Sequence, residues 1–538
     1  MSTSTSTSCA TPRPVWAARP TDLGGMSDTI RVTIAPDEPI GTISPALHGH
    51  FAEHLGELVY PGIWVGPDSP VPNVDGIRTD VVDALRPLRI PVLRWPGGCF
   101  ADDYNWRDGV GPRQSRPARV NTHWGMAPEP NQFGTHEFVA FARAIGAQPY
   151  FAGNLGSGSP RDLRDWIEYC NHPGGSTLAD QRRANGADDP FGVRLWGIGN
   201  ENWGCGGQMT PEAYAEAYAR FRTFAFDFGG TPITGIACGP NGSDWDWTRR
   251  FFEQLRRGSL GDRTRQVQAF AAHYYCGTAG TATEFDESQW LELLTKAIAV
   301  EGIITGHRQL MDEFDPDRRI DLILDEWGAW HPVETGKPRG GLYQQNTMRD
   351  ALVAALSLDI FHNQADKLVM ANIAQLINVL QSVLLVDEQQ CITTPTYHVF
   401  ALYAAHQGRT AVRVQSSADV LSTGEAAEDV ACTRFIDRRP AQLRTVAGSA
   451  SVSGDDLVVT LTNASPSEPV EVEVDVRRVR LADGQLITLA ADDIHAHNTF
   501  AHPDAVSVAD PAAVPAVDGR LRATLPAASV NKLTVRLG

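Results

Sequence analysis

The chain has 538 residues, of which 42% are hydrophobic and 20% charged, and carries a net charge of −18. This is an ordinary globular composition, long enough for one large domain and a smaller one. No stretch is basic enough to follow a phosphate backbone, which argues against nucleic acid as a partner. No run of about 18 apolar residues could cross a membrane.

Residues 1–26 are rich in Ser, Thr and Pro and lack the apolar core of a secretion signal. They are expected to form a disordered tail ahead of a start at Met26, and the protein is expected in the cytoplasm. Ile30, Val32 and Ile34 then alternate with polar residues. This predicts a strand within 27–45 that crosses over to join a C-terminal sheet.

From 46 to 407, short β-type runs alternate with helical segments. The runs are Ala46–Phe51, Pro91–Trp95, Gln148–Leu155, Val193–Glu201, Ile233–Gly239, Gln268–Cys276, Asp321–Trp327 and Lys367–Gln375. Eight is the number a (β/α)8 TIM barrel needs, and unbroken apolar runs such as LILDEW suit strands covered on both faces. Between them, Thr210-Pro211 is a helix start, and Tyr214, Tyr218 and Phe221 fall on one face. Met348, Leu352, Ala355 and Leu356 repeat that pattern ahead of the last strand.

Beyond residue 408 the period becomes two, as in Val470, Val472, Val474 and Val476, then Leu521, Ala523 and Leu525. The segment 408–538 is therefore expected to be an antiparallel β-sandwich appended to an α/β barrel.

Acidic residues close two of the predicted barrel strands. VRLWGIGNE ends strand four with Asn200 and Glu201, and DLILDE ends strand seven with Asp325 and Glu326. Chemistry in such barrels gathers at the C-terminal ends of the strands, where strands four and seven face each other across the mouth. Glycosidic cleavage needs such a pair, one carboxyl to protonate the leaving oxygen and one to attack the anomeric carbon. Trp203 and Trp327 stand nearby in sequence, and aromatic rings stack on the apolar faces of sugars. Taken singly, either glutamate could equally be an ion-paired surface group.

The segments HFAEHLG (50–56), RWPGGCFADDYNWRDGVGPRQSRP (94–117), WGIGNENWGCGGQMTPE (196–212), DEWGAWH (325–331) and NIAQLINVLQ (372–381) together resemble glycoside hydrolase family 51, mostly α-L-arabinofuranosidases. The resemblance runs in order from about residue 30 to the C-terminus. It implies a barrel plus a sandwich that the N-terminal strand enters, with Glu201 as acid/base and Glu326 as nucleophile. It also implies that Asn200 meets the sugar 2-hydroxyl and that Glu53 and Gln375 hold the furanose. The resemblance further implies that Tyr275 positions the nucleophile and that Trp330 forms an aromatic wall; Arg94 is expected to lie beside Glu326 and keep it ionised, the alternative being a salt bridge that only braces the barrel mouth. At Cys99 several members carry Asn, so which hydroxyl is read there stays open.

The implied reaction is a retaining, exo-acting double displacement that frees terminal α-L-arabinofuranosyl units from an oligosaccharide, without metal or organic cofactor, in a homo-oligomer. β-Xylosidase, endoglucanase or other furanosidase specificity on the same machinery, or a sugar-binding protein without catalysis, remain the alternatives.

Other features carry less. His48, His50 and His54 read as loop histidines bonding the site or each other rather than metal ligands. GNLGSGSP lacks the register of a nucleotide loop, and Gly97-Gly98 read as a tight turn. The cysteines Cys9, Cys99, Cys170, Cys205, Cys238, Cys276, Cys391 and Cys432 include no CxxC pair, and free thiols are expected.

Overall fold

A computed structural model describes residues 29–258, 261–277, 279–424 and 441–538; the expected tail at 1–26 lies outside them, as do Cys9 and Cys432. Strand β1 is Ile30–Thr42, and eight parallel strands follow that close into a barrel. They are β2 (Gly49–Phe51), β3 (Val92–Trp95), β4 (Gln148–Gly153), β5 (Leu195–Ile198), β6 (Thr234–Asn241), β7 (Ala269–Cys276), β8 (Asp321–Ala329) and β9 (Leu368–Ala374). Each of the eight β-type runs read from the sequence overlaps one of these strands; six contain theirs, while β6 and β8 run on two residues past the ends read from the sequence, to Asn241 and Ala329. Their burial on both faces explains the unbroken apolar runs.

β1 lies between Thr410–Ser416, to which it pairs antiparallel, and Val470–Val476, to which it pairs parallel with Val32 opposite Val474. It is part of a ten-stranded sheet that is otherwise antiparallel. Alternate residues of its strands, including Val32, Ile34, Val472, Val474, Leu521 and Leu533, form a core separate from that of the barrel. The strict two-residue period is the sign of that one-sided burial.

The helix Met348–Asn363 departs from the amphipathic pattern expected of it. All but two of its side chains are buried, because the barrel covers one side and the sheet the other. The seam with the sheet is polar. Asp359 accepts hydrogen bonds from Ser449 Oγ and Thr460 Oγ1, both at 2.7 Å. His362 meets Ser449 Oγ at 3.0 Å and His48 at 3.1 Å, and His406 meets Ser451 Oγ at 2.8 Å. Burial lowers the pKa of His48 and of His50 to about 3 and takes His362 and His406 well below the usual imidazole range. Burial raises Asp359 to about 7.

Candidate active site

Glu201 follows β5 in a tight turn. Its φ of 43° is left-handed, a conformation costly for a residue with a side chain. The turn is held by Gly204 N–H and Gly206 N–H, which donate to the Glu201 carbonyl at 2.7 and 3.1 Å. Beneath it, the buried Asp102 carboxylate accepts from the backbone N–H groups of Asn200, Leu155 and Gly156, at 2.8, 2.7 and 2.7 Å. Burial raises the Asp102 pKa to about 6 against those bonds. One acidic side chain thus pins the ends of β4 and β5 together.

Across the mouth, the pairing of β7 with β8 slips between Ala272 and His273, so that Asp325 is an extra residue and His273 stands opposite Glu326. Such a bulge turns side chains that a regular strand would send to opposite faces. Asp325 accepts from the Tyr150 hydroxyl at 2.7 Å, while Glu326 receives Arg94 Nη1 on Oε1 at 2.8 Å and the Tyr275 hydroxyl on Oε2 at 2.7 Å. Arg94 also donates to Asn200 Oδ1 at 2.6 Å, linking the two strand ends.

Between the glutamates sits His273, which sequence reading missed. Its Nδ1 is 2.9 Å from Glu201 Oε1 and 3.6 Å from Glu326 Oε2. A carboxylate oxygen of Glu201 and one of Glu326 lie within 4.8 Å of one another. Burial opposes charge on His273, but Glu326 and Glu201 outweigh it and its pKa rises. Burial also pushes the Glu326 carboxyl up, yet His273 and Arg94, with the Tyr275 bond, hold it below its ordinary value. The signal available in sequence was the alternation of HYYC, which puts His273 and Tyr275 on one face of β7.

Glu53 and Gln375 meet at 3.1 Å beside this pair. Glu53 Oε1 also accepts from Phe100 N–H at 3.0 Å and from the Trp124 indole at 2.8 Å. Burial, then the charge on Glu326, raises Glu53 to about 7. Gly97 and Gly98 have no left-handed φ; they are glycine because a Cβ on Gly98 would stand 2.7 Å from Glu53 Oε2. Trp124, also missed, lies in the turn of a hairpin formed by Arg119–Asn121 and Ala127–Glu129. Trp330 packs edge-on against Tyr275 with ring centroids 5.0 Å apart. Asn200 Nδ2 and Gln375 Oε1 are buried without a hydrogen-bond partner. Such groups cost about 1–3 kcal/mol each until a ligand hydroxyl meets them.

Two expectations are corrected. Cys99 and Cys205 are not free thiols but a disulfide, with Cα atoms 5.5 Å apart across 106 residues of sequence. The strands β3 and β5 flank β4 in the barrel, and the loops that follow them meet beyond its end, which brings the pair within bonding reach. Cys99 therefore has no thiol hydrogen to offer a sugar. Trp327, read as a sugar-stacking neighbour, is 2% exposed and packs on Phe361, because the residue after inward-facing Glu326 points to the helices. The histidines read as loop groups are buried; His54 pairs with Glu129 at 2.7 Å.

An eight-stranded parallel barrel with two glutamates so close at the ends of strands four and seven defines a retaining glycoside hydrolase, since inverting enzymes space the pair by about 6.5–9.5 Å to admit water. A family model described as the α-L-arabinofuranosidase 1 domain matches residues 84–287, and one described as the α-L-arabinofuranosidase C-terminal domain matches 325–529. The chain belongs to the α-L-arabinofuranosidases of glycoside hydrolase family 51. It is 39% identical to an intracellular exo-α-L-arabinofuranosidase of Bacteroides ovatus, over 94% of this chain and 95% of that protein. The crystal structure of the family 51 arabinofuranosidase from Xanthomonas axonopodis pv. citri is also 39% identical, with TM-score 0.87 over 94% of this chain and all of that one. The α-L-arabinofuranosidase of Thermotoga maritima, solved with arabinose, is 29% identical with TM-score 0.81 over 95% of this chain and all of that one.

Proposed function

We propose that Glu326 is the nucleophile and Glu201 the acid/base of a double displacement that releases single terminal α-L-arabinofuranosyl units from oligosaccharides. The carrying observation is the approach of the two carboxylates, within 4.8 Å and joined through His273. Glu326, held ionised by His273 and Arg94, attacks the anomeric carbon while Glu201 protonates the departing oxygen. Glu201 then takes a proton from water, which displaces the sugar from Glu326 with overall retention.

Asn200, with its unpartnered Nδ2, and the Glu53–Gln375 pair bind the furanose hydroxyls, and Trp330 walls one side. The hairpin bearing Trp124 closes another, since Gly125 and Gly340 are so near that a Cβ on Gly340 would stand 2.5 Å from the Gly125 backbone. A closed rim favours a pocket for one terminal residue over an open cleft. The reaction calls on no metal or organic cofactor in this reading.

No helix among the described residues is long and apolar enough to cross a membrane. We place the enzyme in the cytoplasm, acting on imported oligosaccharides, and in a homo-oligomer as the family resemblance implies. Boundaries near residues 45 and 408 divide barrel from sheet. The test compares nitrophenyl α-L-arabinofuranoside, β-D-xyloside and β-D-galactofuranoside and follows the product anomer by NMR. Fastest release from the arabinofuranoside with the β-forming water attack absent is expected; first-formed inverted sugar overturns the mechanism, and arabinofuranoside as the poorest substrate overturns the specificity.

A further inference from the structure

We propose that reducing the Cys99–Cys205 disulfide creates a site for a thiophilic divalent cation, formed by both thiolates and Glu201, whose occupation stops turnover. The pair stands directly over the acid/base. Cys205 Sγ is 3.6 Å and Cys99 Sγ 4.0 Å from the same Glu201 oxygen, Oε2. Neither contact is a hydrogen bond, because disulfide sulfurs carry no hydrogen. Both sulfurs and a Glu201 oxygen fall within 4.8 Å of one another. The other oxygen, Oε1, is engaged by His273. A cation on Oε2 therefore leaves the His273 contact in place.

The chemistry balances in two steps. A dithiol reductant gives two electrons and two protons to the disulfide, is itself oxidised to a disulfide, and leaves two thiols. A cation such as Zn2+ or Cd2+ then displaces the two thiol protons to solvent and takes two thiolates and one carboxylate, leaving a fourth position to water. Zn–S bonds of about 2.3 Å at a tetrahedral angle hold two sulfurs about 3.8 Å apart, so the proposal requires the two side chains to turn apart on Cα atoms that stand 5.5 Å from each other. Two sulfurs favour a thiophilic cation over Mg2+ or Ca2+. Once Oε2 is a ligand it cannot carry the proton that the leaving group needs. A cytoplasmic setting supplies thiol reductants, so the disulfide form would be the metal-indifferent state and the dithiol form the sensitive one.

The inhibition rests on the acid/base reading of Glu201, whereas cation binding does not, so the two are measured apart. The full chain is assayed in its disulfide form and after dithiothreitol treatment, with reductant removed under anaerobic gel filtration and thiols counted with a disulfide dye. Two additional thiols are expected. Cd2+ alone is then added. The reduced enzyme is expected to develop a cadmium–thiolate absorption band and lose more than about 10-fold in turnover at one equivalent, reversed by EDTA, with under about 2-fold change in the disulfide form. Cys99→Ala and Cys205→Ala, each judged by its own ratio of rates with and without Cd2+, are expected to lose that sensitivity. Glu201→Gln is expected to keep the band but bind Cd2+ about 10-fold more weakly, which reads ligation without catalysis. A disulfide that resists reduction in the folded enzyme, equal inhibition of both redox forms, or unchanged Cd2+ affinity in Glu201→Gln would each overturn the proposal. The redox comparison uses the native chain and needs no variant to fold.

Discussion

The Tyr275 hydroxyl donates to Glu326 Oε2 at 2.7 Å, on the oxygen opposite the one that Arg94 holds at 2.8 Å. Glu326, the proposed nucleophile, is thereby held at both oxygens. Removing the tyrosine hydroxyl frees one oxygen and weakens one of the contacts that keep Glu326 ionised. A hydrogen bond to a charged group is worth about 1.5–3 kcal/mol, so Tyr275→Phe should lower kcat/KM by about 10- to 100-fold. Glu326 must be ionised to attack, and its lowered pKa places the acid limb of the profile. Losing the Tyr275 bond raises that pKa, so the acid limb of kcat/KM moves to higher pH. An unmoved limb would mean that Tyr275 only packs against Trp330.

The two glutamates should fail differently. Glu326→Ala is expected to abolish turnover on every glycoside. Glu201→Ala should lose about 100- to 10,000-fold on poor leaving groups and much less on nitrophenolate, which departs without a proton. Azide should rescue Glu201→Ala and give a glycosyl azide of retained configuration. If azide instead rescued Glu326→Ala with retained configuration, the roles would be exchanged.

Gly340 is a steric test of the rim. Its φ is not left-handed, so alanine there carries no backbone strain, but its Cβ would press on Gly125. Moving that turn moves Trp124 and, through its 2.8 Å bond, Glu53. Displacements of about 1 Å cost about 100-fold in well-aligned sites, and Gly340→Ala should lower kcat/KM by about 10- to 100-fold, mainly in KM. Because the clash is with backbone, some loss of Tm is expected as well, so the kinetics are compared well below the Tm of either protein. Gly302→Ala, with nothing within 4 Å of its Cβ, serves as the control and should be silent. Equal kinetics in the two variants would detach the hairpin from substrate binding.

The seam between barrel and sheet should make stability fall in acid. His48, His50, His362 and His406 have folded pKa values below the ordinary 6.5 because burial disfavours their charge. As pH drops below about 6.5 the unfolded chain takes up protons that the folded chain refuses, so their stabilisation, complete above that value, drains away toward about pH 3. Asp359 works in the other direction. Raised to about 7, its contribution is complete below the unfolded carboxyl value and is lost as pH rises through 7, which offsets part of the slope. Calorimetric Tm should therefore fall between pH 7.5 and 4.5. His362→Gln should flatten the dependence by up to about 1.4 kcal/mol per pH unit, the linkage of one proton. An unchanged slope would remove His362 from the acid response.

Much of the architecture could be read from the chain because each feature has a local cause. A strand buried on both faces must be apolar throughout, and a strand buried on one must alternate; LILDEW and VEVEVDV record the two environments directly. Glu201 and Glu326 were visible because each closes such a run. The helix Met348–Asn363 was misread in its burial, since nothing within one helix tells that a second sheet will cover its outer side.

What sequence alone determined is the set of strands, the helices between them and the two carboxylates at their ends, all of which follow from periodicity and from residues adjacent in the chain. Tertiary structure alone decided the bulge that turns Asp325 and Glu326 inward together, the single histidine shared by both glutamates, and the joining of Cys99 to Cys205. Those depend on how closed barrel geometry sets one loop against another, and distances between residues a hundred positions apart are not written in any local pattern.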